Sequence, residues 1–226
     1  FGEINCFSLQ INKILTTGDG GAVTTKDAKL YERAVRYHDQ GMFREKEGFL
    51  SKSAADEVFI GQNYRMSEIT GAVALEQVKK MDYIVSSMHR IKYQIKEQIR
   101  DIDGVGFRRI NDEKGDAGNA LILLLPDAKI AAKFREAMNG EGISTGLLYN
   151  GEPIYMMPQI FDRKTADKNG FPFNQFDEEI EYTRDMCPNA WNIMPRSASI
   201  SLSPAFTDRD VEDVVTAVRK VMRHLV

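Results

Sequence analysis

Apolar positions recur along this chain in two distinct periods. Ile84, Met88, Ile91, Ile95 and Ile99 return at steps of three and four, which places one apolar stripe along about four turns of helix. Val211, Val214, Val215, Val218, Val221, Met222 and Leu225 keep the same spacing behind Thr207, a good N-cap with Asp210 three residues later. Just before that helix the period drops to two. Ala198, Ile200 and Leu202 alternate with Ser197, Ser199, Ser201 and Ser203, so one strand face is apolar and the other hydroxylated. The opening run Phe1-Gly2-Glu3-Ile4-Asn5-Cys6-Phe7 also alternates and predicts a strand over 1–9. A bend at Gly18, Gly20 and Gly21, a strand over 22–25 and a helix over 27–38 follow. The middle reads as an α/β unit with strands over 105–110, 120–125 and 143–148, a turn at 114–118 and a helix over 127–138. Residues 39–59 and 150–176 show neither period. A structureless stretch of that length is more often functional than idle, and 39–59 is expected to move or to contact a partner.

Composition narrows the class. With 30 basic and 33 acidic side chains the formal charge is 30 − 33 = −3, which disfavours a nucleic-acid partner or a polybasic membrane surface. No apolar run approaches the ~20 residues that span a bilayer. Cys6 and Cys187 lie far apart in apolar surroundings, as expected of reduced core thiols, and the cytoplasm is the expected compartment. His38, His89 and His224 have no acid or cysteine partners at metal-ligand spacing, so no metal site is expected. A chain of 226 residues is long enough to remove roughly 70% of its unfolded surface from water.

The candidate chemistry sits in the segment from Cys6 to Gly21. Lys13 lies just past a strand, among hydroxyl and small residues, where partial desolvation of its amine favours the neutral, nucleophilic form. Ser8 offers a hydroxyl to an anion, and the glycines at 18, 20 and 21 let backbone approach a ligand closely. A solvated loop lysine beside a glycine-containing hairpin fits the same residues, and composition alone favours it. A nucleotide P-loop does not fit, since its glycines precede the lysine and here they follow it. Arg65, at a helix entrance, suits either a carboxylate or phosphate of a substrate or a structural acid; Asn63 suits a capping role.

Three stretches carry a resemblance. Ser8, Lys13 and the run Thr16-Thr17-Gly18-Asp19-Gly20-Gly21 form the first, and Gly61-Gln62-Asn63-Tyr64-Arg65-Met66-Ser67-Glu68 with Ala72, Leu75, Gln77, Lys80 and Asp82 the second. The third is the ending, from Pro188 to Trp191 and from Ser199 through Phe206-Thr207-Asp208 to the last helix. Together they resemble the DegT/DnrJ/StrS sugar aminotransferases, pyridoxal 5′-phosphate enzymes of the aspartate-aminotransferase fold type. The resemblance implies that Lys13 holds the cofactor as a Schiff base and shuttles a proton, that Ser8 hydrogen-bonds the cofactor phosphate, and that Asn63 reaches that phosphate from the other subunit of a homodimer. It implies a small-molecule substrate, a keto sugar or nucleotide-linked keto sugar, and glutamate as donor. The His-Gly pair frequent in the family is His38-Asp39-Gln40-Gly41 here, so His38 is given no catalytic role.

In that family the acid for the pyridinium nitrogen, the ring-stacking group and most of the phosphate cradle precede the lysine, and only twelve residues precede Lys13 here. The expectation is a C-terminal portion of such an α/β enzyme: the tail of the cofactor domain over 1–82, a connecting helix over 83–103 and a small α/β domain over 104–226. Such a portion is expected to be inactive alone. The alternative is a non-catalytic dimerisation or binding protein derived from the family.

Overall fold

The computed structural model describes residues 2–42, 59–175 and 181–225. It is a mixed α/β chain that divides into two compact units, Phe1–Ile84 and Val85–Val226. The predicted loop over 39–59 lies outside the described residues between 43 and 58.

The first unit opens with an antiparallel hairpin of β1 (Ile4–Ser8) and β2 (Gly21–Thr25), in register from Ile4 opposite Thr25 to Ser8 opposite Gly21. Helix α1 (Ala28–His38) starts where Asp27 accepts hydrogen bonds from the Lys29 and Leu30 N–H groups at 2.8 and 2.9 Å, which satisfies two donors that the first turn leaves open. Past the end of α1 the chain is laced to residues 62–64. Gln62 N–H donates to the Tyr37 carbonyl at 2.8 Å, Gln40 N–H to Gln62 at 2.9 Å and Tyr64 N–H to His38 at 2.8 Å. Gly41 and Gly61 make that approach feasible. A Cβ on Gly41, whose φ is +82°, would overlap the Phe59 carbonyl, and one on Gly61 would stand 2.5 Å from the Gly41 nitrogen. Helix α2 (Glu68–Lys79) follows, capped by the Ser67 hydroxyl, which accepts from Thr70 N–H at 3.2 Å. It buries no residue, and Ile69, Val73, Leu75 and Val78 are exposed.

Helix α3 (Met81–Ile99) carries the expected stripe: Met88, Ile91, Ile95 and Ile99 are buried. The second unit is built on a four-stranded antiparallel sheet in the order β3-β4-β6-β5, with β3 at Gly106–Phe107, β4 at Ala120–Leu124, β5 at Thr145–Gly146 and β6 at Ser197–Ser201. Leu121 and Leu123 pair with Ile200 and Ala198 and share one face. They join one core with Ile91, Ile95 and Ile99 of α3, Phe134 of α4 (Ala128–Gly140) and Val218 of α7 (Asp208–Leu225). Each of these side chains larger than alanine contributes roughly 1.5–3 kcal/mol by leaving water. Short helices α5 (Pro158–Phe161) and α6 (Pro188–Ile193) punctuate the segment between β5 and β6. There Trp191 Nε1 donates to Tyr155 Oη at 2.9 Å, so the aromatic handles are spent on packing.

Two predicted strands shrink. The one over 105–110 is reduced to Gly106–Phe107, and the one over 143–148 to Thr145–Gly146, because the backbone turns left-handed at Tyr149, Asn150 and Gly151. Both cysteines are free, as expected, but Cys6 and Cys187 are exposed rather than in a core. Cys6 sits on a hairpin open to solvent, and Cys187 precedes α6. The α7 cap is as predicted and reciprocal: Asp210 N–H donates to Thr207 Oγ1 at 3.3 Å, and Thr207 N–H to Asp210 Oδ2 at 2.6 Å.

One polar pair enters the core boundary. Lys92 Nζ lies 2.5 Å from Asp116 Oδ2, with side chains 3% and 10% exposed. The loop that carries Asp116 is strapped onto α3 by three further contacts. Lys96 pairs with Glu113 at 2.7 Å, His89 Nε2 meets the Glu113 carbonyl at 2.8 Å, and Gly118 lies against the backbone of Met88 and His89.

Candidate functional site

Lys13 sits on a loop closed at its base by a single residue. Leu9 N–H donates to the Gly20 carbonyl at 2.9 Å, and the Leu9 carbonyl accepts from Thr17 N–H at 2.9 Å and Thr16 Oγ1 at 3.1 Å. Gln10 bridges Gly18, and Lys13 N–H donates to the Gln10 carbonyl at 2.9 Å. The threonines in the loop therefore close its ring. The glycines serve conformation: Gly18 has φ +86° and Gly20 φ +145°, and a Cβ on Gly20 would stand 2.9 Å from Thr17 Oγ1 and 3.1 Å from Met66 Cε.

The Lys13 side chain is exposed, so these residues do not supply the partial desolvation expected of it. Among the described residues its Nζ has neither an ion-pair nor a hydrogen-bond partner. Ser8 Oγ accepts a long bond from Gln10 N–H, 3.4 Å, and no described acceptor takes its hydroxyl hydrogen. A free amine and a free hydroxyl thus stand five residues apart in the sequence, one within the loop and one at the end of β1.

The second motif reaches this loop through Met66, which packs on Gly20. Asn63 is exposed and its Oδ1 accepts from Arg65 N–H at 3.4 Å; no hydrogen bond joins it to Ser8 or Lys13 of the same chain. Arg65 meets a structural acid, one of the two partners left open by the sequence. Its Nη1 pairs with the carboxylate of Asp39, a buried residue, and donates to Gln40 Oε1 at 3.4 Å. The His38 ring is turned back on its own helix, with Nδ1 against the Val35 carbonyl. Asp39 escaped the sequence reading: an aspartate at a helix end normally faces water, and its pairing with a residue 26 positions away leaves no local pattern.

Residues 1–219 match the DegT/DnrJ/EryC1/StrS aminotransferase family. The chain belongs to that family. Its relatives include the spore coat polysaccharide biosynthesis protein SpsC of Bacillus subtilis, 22% identical over 98% of this chain and 54% of that protein. The GDP-perosamine synthase of Escherichia coli O157:H7 is 34% identical over 45% of this chain and 26% of that protein. Among solved structures, Helicobacter pylori PseC, an aminotransferase involved in the biosynthesis of pseudoaminic acid, shares the fold with a TM-score of 0.75 at 20% identity. That match covers 99% of this chain and 54% of PseC. The chain spans about half the length of the curated relatives it matches along its whole extent, 54% in the case of SpsC. Among the described residues no helix is long and apolar enough to cross a membrane.

Proposed function

We propose that these residues serve a pyridoxal phosphate-dependent aminotransferase that moves an amino group, with glutamate as donor, onto a keto sugar or nucleotide-linked keto sugar. The observation that carries the reading is the unpaired Lys13 amine on a loop clamped by Leu9, together with a Ser8 hydroxyl that keeps an unspent hydrogen at the end of the strand leading into that loop. That donor set suits the cofactor, since an aldehyde calls for a free amine and a phosphate for hydrogen-bond donors. The sugar class is supported by the names of SpsC and GDP-perosamine synthase.

Pyridoxal phosphate, when bound, supplies an aldehyde that captures amines and a ring that accepts negative charge from the adjoining carbon. Lys13 Nζ would hold it and, once displaced by the donor amine, carry a proton to and from the reacting carbon. Ser8 Oγ would donate to the phosphate. Asn63 would serve the phosphate of the neighbouring subunit, in keeping with its exposure. A homodimer also accounts for α2, which leaves Ile69 81% and Leu75 58% exposed. In this reading residues 1–82 belong to the cofactor domain, 83–103 to a connecting helix and 104–226 to the small domain, and the protein works in the cytoplasm. Helix α3 and the division at Ile84 support that division of labour.

In a protein of the relatives' full length that carries these residues, Lys13→Ala is expected to abolish the half-reaction with glutamate, followed by the cofactor's absorbance; retained turnover would overturn the role of Lys13. The 226 residues alone are expected to capture pyridoxal phosphate weakly or not at all. Stoichiometric borohydride-fixed labelling of Lys13, located by mass spectrometry, would overturn that part.

A further inference from the structure

We propose that Asp39 and Arg65 form a positioning tie that seats residues 63–67 on the base of the Lys13 loop. Asp39 is 4% exposed, and a carboxylate that deep is held only with a cationic or hydrogen-bonding partner, which Arg65 Nη1 supplies. Backbone bonds fix the same two stretches to each other: Asp39 bridges Asn63, Gln40 N–H donates to the Gln62 carbonyl and Tyr64 N–H to the His38 carbonyl. One residue beyond Arg65, Met66 puts its Cε on Gly20, where a Cβ would stand only 3.1 Å from it. Gly20 in turn offers the carbonyl that receives Leu9 N–H, the bond that closes the Lys13 loop. The chain of contact therefore runs from a buried carboxylate, through Arg65 and Met66, to the ring that presents Lys13. Asp39 touches neither Lys13 nor Ser8, so its part is to position.

That Lys13 and Asn63 serve one reaction rests on the aminotransferase reading, whereas the tie rests on contacts alone. The test accordingly uses neither cofactor nor turnover. Residue-resolved hydrogen exchange is measured on the 226-residue chain and on its Arg65→Met, Arg65→Lys and Met66→Ala variants. The amides of Leu9 and Thr17 are expected to exchange at least about fivefold faster in Arg65→Met and Met66→Ala, with the β1–β2 ladder far from the loop within about twofold of the parent. Arg65→Lys, which keeps the charge, is expected to restore the two amides to within about twofold. Met66→Ala retains the ion pair, so it reports on the last link even where Arg65→Met fails to fold. Uniform acceleration through the first unit would show that Arg65 only stabilises and would overturn the proposal. Unchanged exchange at Leu9 and Thr17, or no recovery in Arg65→Lys, would overturn it as well.

Discussion

Replacing Lys92 by methionine removes one half of the best-buried ion pair among the described residues. At 2.5 Å in an effective dielectric of about 20, the attraction between Nζ and the Asp116 carboxylate is roughly 6–7 kcal/mol, most of which offsets the cost of taking two ions out of water. The pair is therefore worth little net, yet either partner left alone is expensive. Lys92→Met keeps the stem's packing in the α3 stripe and strands Asp116, whose side chain is 10% exposed and can draw in some water. The expected loss is then about 3 kcal/mol, the lower end for a broken buried pair. For a unit of this size that is roughly 6–12 °C in Tm. Exchanging both residues, as Lys92→Met with Asp116→Leu, is expected to return to within about 1 kcal/mol of the parent. Urea titration read by the fluorescence of Trp191, the chain's single tryptophan and a residue of the second unit, isolates the effect. A single variant that loses under about 1 kcal/mol, or a double variant as unstable as the single, would refute the reasoning.

Gly118→Ala is expected to destabilise the second unit by at least about 2 kcal/mol in the same titration, because φ is +73° and the new Cβ would stand 2.5 Å from the His89 nitrogen. Phe134→Ala, at a fully buried position, is expected to cost about 3–5 kcal/mol. Thr207→Ala removes one half of the α7 cap and is expected to cost about 1 kcal/mol in thermal unfolding. Hydrogen bonds from the Thr207 hydroxyl and N–H hold the Asp210 carboxyl below its ordinary value of 3.8. A depressed folded value stabilises above that ordinary value, and the benefit disappears as pH falls through the folded one. The stability gap between the parent and Asp210→Asn is thus expected to narrow as pH falls below the ordinary value of 3.8 in urea titrations, and a gap that widens on acidification would refute the assignment.

Periodic elements could be read from the sequence because burial on one face forces the period. The α3 isoleucines, the alternation at Ala198 and Ile200 and the valines of α7 all have one buried side. What escaped depends on contacts between distant residues or on local backbone strain. Lys92 falls one residue after Ile91, inside the stripe, and only Asp116 makes that position tolerable for a cation. Strand ends were lost where a left-handed run at Tyr149–Gly151 stops pairing that the side chains themselves would allow. At the site, Ser8, Lys13 and the glycines were readable as a motif. The exposure of Lys13 was not, because burial depends on what packs over a turn.

The hydrogen bonds of Leu9 have a kinetic corollary. Every bond that closes the Lys13 loop joins residues no more than eleven positions apart. Chain segments of that length meet within about 10–100 ns, far sooner than a sheet assembles. The ring around the lysine can thus close during synthesis before residues 63–67 exist, so that Met66, when it arrives, meets a loop already formed.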